Sequence, residues 1–176
     1  MTDSYHSFNR AIAEAKDLLD CYDKLNHHPE IIPPDALKKA SLILTLTSWE
    51  TYVEDVVTEL FNNKFSLVKG SSLGNFAEKQ LKERLKQFHN PDSRKTKHLF
   101  EEFFEVDITE HWHWNNVLPK NARTQLNKWI SIRGDAVHRA EVDPTKPHLI
   151  KKEELIKCIR FFEELVKATD AAVNKL

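Results

Sequence analysis

The sequence predicts an all-α protein, a bundle of four long helices with one or two short insert helices, and three observations predict it. Glycine and proline number only 3 and 7 in 176 positions, too little punctuation for many short strands. Apolar residues recur every three or four positions through most of the chain, which is the period of a helix face. One stretch, Ser41 to Leu46, is apolar on more than one side, as expected of a helix surrounded by others. The length is enough to bury a core, so residues 1–176 are expected to form a single domain.

Each element follows from its own signals. The first helix is expected to start with Asp3 or Ser4 as its cap, carrying Phe8, Ile12, Ala15, Leu18 or Leu19, Tyr22 and Leu25 on one stripe. Asn26-His27-His28-Pro29 ends it; nothing nearby completes a ligand set for the two histidines, so this reads as a solvated loop. Pro34 or Asp35 opens the longest helix, which reaches about Phe65 and is expected to be central. Lys69-Gly70-Ser71-Ser72-Leu73-Gly74 reads as a flexible turn. It lacks the lysine-serine ending and the preceding strand of a phosphate-binding loop. Helices are expected over Phe76–Phe88 and His98–Phe104, then from Pro119 to about His138, and finally from Lys152 to Lys175. Proline suits the first helical position, and the segment from Arg139 to Pro147 contains two prolines that break the pattern before the last helix.

Composition narrows the function classes. The formal net charge is −1 and the pI about 6.8, so no overall positive field advertises nucleic acid, and any RNA binding must come from a local patch. Cys21 and Cys158 have no Cys-x-x-Cys spacing and read as two buried reduced thiols, without a disulfide framework or zinc site. No apolar run approaches the roughly 20 residues of a membrane span, and Met1-Thr2-Asp3-Ser4 does not read as a leader. A cytoplasmic protein without membrane contact is the expectation.

The chemistry concentrates in Trp129-Ile130-Ser131-Ile132-Arg133-Gly134-Asp135-Ala136-Val137-His138-Arg139. Leu126, Trp129, Ile130, Ile132, Ala136 and Val137 would face a core. Arg133 brings a charge that cannot be titrated away, and His138 brings a group that titrates near neutral pH. A fixed cation and a proton carrier are the minimum for chemistry on a phosphodiester.

Arg133-Gly134-Asp135-Ala136-Val137-His138 resembles the Arg-x4-His signature of the HEPN superfamily. Ser48-Trp49-Glu50-Thr51-Tyr52-Val53-Glu54-Asp55 is similar to the aromatic-acidic second helix of several HEPN families, with RiboL-PSP-type domains the nearest group. The motif sits on the penultimate helix, before a proline-containing loop and one closing helix. Two positions depart from the family pattern. Gly134 stands where a polar residue usually follows the arginine, with Asp135 one place later. Ala140 replaces the tyrosine of HEPN toxins that pair with minimal nucleotidyltransferases.

The resemblance implies an up-down HEPN-like bundle and metal-independent RNA cleavage with Arg133 and His138 as catalytic residues and no cofactor. A toxin or phage-defence role, an antitoxin or another protein partner would suit such an enzyme. Positions i and i+5 on an ideal helix point about 140° apart. Either the helix distorts near Gly134, or the site is assembled across a homodimer, as HEPN domains commonly do. Glu50 or Glu54 would reach Arg133 and His138 and orient the imidazole, with Asp135 in support; an ordinary solvated acidic face is the plainer reading. Lys82, Lys86, Arg94, Lys95, Lys97 and Arg139 are expected to hold RNA phosphates, though such a charge run more often only faces solvent. His111-Trp112-His113-Trp114 could chelate a metal or stack on a base, but two tryptophans beside a helix start are more often core. The competing functional class is a catalytically silent module binding a nucleotide, RNA or a protein. In it Arg133 pairs with Asp135, Glu54 or Glu50, and His138 caps the helix. The Arg133-Gly134-Asp135 triplet, which also spells an adhesion motif, is read as coincidence on a helix.

Overall fold

The computed structural model describes residues 1–138 and 150–176. Six α-helices are found among them: α1 (Asp3–Asn26), α2 (Asp35–Lys64), α3 (Ser72–Lys86), α4 (Ser93–Phe104), α5 (Pro119–His138) and α6 (Lys152–Val173), with 3₁₀ turns at Ser66–Val68 and Ile108–His111. Among the described residues the only β pairing is one antiparallel bridge, Trp114 with Val117. Helices α1, α2, α5 and α6 are the four long members of the all-α bundle, and α3 and α4 are the inserts.

Helix α1 starts one residue before the expected cap. The Thr2 hydroxyl accepts the Tyr5 amide at 3.0 Å, and Phe8, Ile12, Ala15 and Leu19 are buried along one stripe. Its partner is α2, and two contacts set them antiparallel. Ser41 of α2 donates to the Ala15 carbonyl at 2.6 Å, while near the other end Glu59 accepts from the Ser4 hydroxyl at 2.6 Å. Helix α6 also runs antiparallel to α1, with Lys16 against Glu163 at 2.5 Å and Asp23 against Lys152 at 2.7 Å.

Helix α2 is the axis. It packs against α1, α4, α5 and α6 and buries Leu42, Leu46, Trp49, Tyr52, Val53, Val56 and Val57 almost completely. Its small polar residues are accommodated by bonding back into their own helix, Thr45 to the Ser41 carbonyl and Ser48 to the Leu44 carbonyl. Trp49 is fully buried; its ring lies about 6 Å from those of Tyr52, Trp112 and Phe162. Its indole N–H donates to the Pro91 carbonyl at 3.0 Å, which ties the α3–α4 turn to the core.

The inserts begin earlier than the apolar pattern indicates. Helix α3 is capped by Ser71, whose hydroxyl accepts the Gly74 amide at 3.0 Å. Gly74 is therefore inside a helix and not in a flexible turn. A Cβ there would fall 2.1 Å from the Val68 carbonyl oxygen, so only glycine permits this approach. Helix α4 is capped by Asp92, which accepts the Lys95 amide at 2.7 Å. The two thiols differ: Cys158 is buried, but Cys21 lies on the face of α1 away from the buried stripe and is exposed, correcting the expectation of two buried thiols. His27 and His28 are exposed. No helix of the described residues is long and apolar enough to cross a membrane.

Glu59 also accepts the Asp3 and Ser4 amides, at 3.2 and 3.1 Å. Burial alone would push its carboxyl up, but the Ser4 hydroxyl and these two amides outweigh burial and hold it below the usual glutamate range. A depressed pKa contributes stability above the unfolded value, lost as pH falls through the folded value. Glu59→Ala is expected to cost about 1 kcal/mol at pH 7, comparable with losing a helix cap. Urea unfolding at a series of pH values should show the difference from wild type shrinking below the ordinary glutamate range; a constant difference would mean the loss is packing alone.

Candidate functional site

Helix α5 is fixed by its apolar side. Ala122, Leu126, Trp129 and Ala136 are buried, with Ile130 and Ile132 partly covered. This register leaves Arg133 at the edge of the core, its side chain 17% exposed. There it meets α2 and the α3–α4 turn. Its Nη1 donates to Glu50 Oε2 at 2.7 Å and to Asn90 Oδ1 at 2.9 Å. Nη2 reaches Thr47 Oγ1 at a long 3.4 Å. A guanidinium carries five N–H donors. These contacts use both hydrogens of Nη1 and one of Nη2; Nε and the other Nη2 hydrogen meet no acceptor among the described residues.

Of the three acidic partners expected for Arg133, Glu50 is the one in contact. Glu50 is 16% exposed, and its other oxygen lies 3.6 Å from His89 Nδ1. Glu54, one turn on, faces instead a groove of about 650 Å³ beside α3, lined also by Asn75, Lys79, Lys82 and Lys86. Burial first, then the negative charges of Glu50 and Asp55, push the Glu54 carboxyl up, opposed by His89. Asp135 is exposed on α5. The helix continues without interruption through Gly134 to His138, so no distortion there brings the two motif residues together. The side chain of His138, and Arg139 altogether, lie outside the described residues.

The cationic patch is partly compensated. Lys82 pairs with Glu78 at 2.5 Å, Lys86 with Glu83 at 3.0 Å, and Lys97 with Asp107 at 2.6 Å. Lys95 Nζ bonds the His89 carbonyl, and Arg94 is exposed. The Lys82 and Lys86 pairs are exposed and screened by solvent, so they hold these lysines only weakly. In the aromatic segment the structural reading holds: Trp112 is fully buried and donates to Thr169 Oγ1 at 2.9 Å, and Trp114 packs on Phe161. His111 and His113 are exposed. Among the described residues no three His, Cys, Asp or Glu side chains are grouped to hold a metal ion.

Sequence reading missed Thr47, His89 and Asn90. Asn90 adopts a left-handed φ of 51°, which asparagine tolerates better than most residues. Between a helix end and Pro91 it carries a turn signal, and that signal was available. Nothing local announces that the turn meets α5.

Gly134 has open space where a Cβ would sit, so packing does not require glycine. Gly134→Ala is expected to raise stability by about 1 kcal/mol through helix propensity, read as a higher melting temperature. If bare backbone is needed for substrate approach, the same variant loses activity while gaining stability.

The family description RiboL-PSP-HEPN matches residues 9–175 of this chain. No curated protein and no solved structure gives a significant match.

Proposed function

Because the chain belongs to the RiboL-PSP-type HEPN family, whose membership supports a nuclease or RNA-related role, we propose that it is a metal-independent endoribonuclease. Its active residues are Arg133 and His138, brought together at the cleft of a homodimer. One observation carries this reading: Arg133 is held by three acceptors from two other elements and, among the described residues, still has N–H donors to offer. A prealigned cation of this kind stabilises charge developing in a transition state without first reorganising. The regular helix to His138 leaves the splay of the two motif positions uncorrected within α5, which supports pairing of two chains.

In this scheme His138 takes the proton of a ribose 2′-hydroxyl as its oxygen attacks the adjacent phosphorus. Arg133 stabilises the phosphorane, and the 5′-oxygen leaves to give a cyclic phosphate end. DNA lacks the attacking group and is resistant. Lys82, Lys86, Arg94, Lys95, Lys97 and Arg139 would hold flanking phosphates, and a toxin or defence role with a protein antitoxin is the setting that suits it.

A second reading has an observation of its own. The Arg133–Glu50 pair is half-buried, with both side chains near 16–17% exposed, and such a pair can serve the fold alone. That is the silent binding module.

Purified protein incubated with labelled single-stranded RNA in EDTA should produce cyclic phosphate ends. His138→Ala and Arg133→Ala should each reduce cleavage by roughly 10²-fold or more, with His138→Ala keeping fold and oligomeric state. No cleavage by the wild type across varied RNA substrates, with folded protein, would favour the silent module.

A further inference from the structure

We propose that His89 is a second proton-carrying residue of this site, placed beside Arg133 within one protomer, where it contacts the phosphodiester being cleaved. The inference rests on the ribonuclease reading, but it comes from contacts outside the Arg-x4-His segment.

The observation is a shared carboxylate. Glu50 Oε2 receives Arg133 at 2.7 Å, and Glu50 Oε1 stands 3.6 Å from His89 Nδ1. A fixed cation and an imidazole are thus one carboxylate apart, on separate elements. The turn that presents His89 is fastened on several sides. Phe88 before it is buried, Asn90 after it accepts from Arg133, and the Pro91 carbonyl accepts from buried Trp49. Lys95 holds the His89 carbonyl itself. The backbone is pinned, yet the side chain is 72% exposed. The 3.6 Å approach of Nδ1 to Glu50 is longer than a hydrogen bond, and the other ring nitrogen has no partner among the described residues, so the imidazole is open to a ligand. Among the described residues, the charged groups around it are Glu50 and Glu54 from α2 and Lys95 from α4, with Arg133 of α5 on the far side of the shared Glu50.

The chemistry assigned to His89 is that of the acid. As the ribose 2′-oxygen forms its bond to phosphorus, the P–O5′ bond breaks, and the imidazolium of His89 gives its proton to the departing 5′-oxygen. The proton of the 2′-hydroxyl goes to His138. The neutral His89 is then reprotonated from water. One Arg133 serves the phosphorane between them.

Two measurements test this on the full-length protein. The first follows the histidine ring signals by NMR during titration with uridine 3′-monophosphate. Saturable shifts of His89, absent in Arg133→Ala and absent from the exposed His111 and His113, are expected. An unmoved His89, or equal movement of all three, overturns the proposal whether or not the protein cleaves RNA. The second compares cleavage by wild type, His89→Ala and His89→Gln. Both variants should lose roughly 10²-fold or more in kcat with KM little changed. The fall in rate at high pH, where an acid loses its proton, should flatten. Rescue by His89→Gln would reduce His89 to a positioning role and overturn the assignment, as would wild-type activity in His89→Ala. If wild type fails to cleave any RNA but the NMR shifts persist, the ribonuclease reading falls and the phosphate contact at His89 stands.

Discussion

Helix α2 has to be buried on almost every side, and most of the architecture answers that requirement. Its thirty residues meet four other helices, so most polar side chains on it are satisfied locally or neutralised from outside, the buried Tyr52 hydroxyl being an exception among the described residues. Serine and threonine manage the first by bonding to carbonyls one turn back. A carboxylate cannot. Glu50 sits where α2 passes from the core toward the surface, and a half-buried anion there calls for a cation with good geometry. Arg133 supplies it. Fold and candidate site are therefore linked, because the pair that neutralises α2 is also the pair that holds the motif arginine in place.

The same logic explains why the α3–α4 turn is so closely held. A turn between two insert helices would ordinarily be among the looser parts of a small domain. Here the buried indole of Trp49 needs an acceptor, and the Pro91 carbonyl is it. Ser93 then takes its amide to Asn127 of α5 at 2.9 Å, and Asn90 completes the environment of Arg133. Core, insert and α5 meet in four consecutive residues.

Much of this was legible in the sequence, and the limits have physical causes. The long helices could be read because their buried faces repeat at helical spacing, from Phe8 to Leu19 and from Leu155 to Val173. The starts of α3 and α4 were set too late because their first turns bury no large apolar residue. In α4 the run Arg94-Lys95-Thr96-Lys97 shows no buried apolar residue, and only the Asp92 cap marks the boundary. Arg133 with Glu50 could be named as one option among three, because charge complementarity limits the choice. Asn90 and Thr47 could not, since their approach to α5 spans more than forty positions, nor could His89, whose contact is with Glu50 of α2; all are decided by how the helices dock. Cys21 was placed on the wrong face of α1: it lies two residues past Leu19, about 200° around the helix, so Leu19 falls on the buried stripe and the thiol does not.

That placement on the outer face makes the chain a convenient substrate for chemical labelling. Burial pushes the Cys158 thiol up and keeps it protonated, whereas Cys21 faces solvent on the outer side of α1. A maleimide dye or spin label offered to the folded protein meets a single accessible thiol among the two. Each chain thus carries one native attachment point on a long helix, and the separation between two such labels would report whether and how two copies of the chain associate.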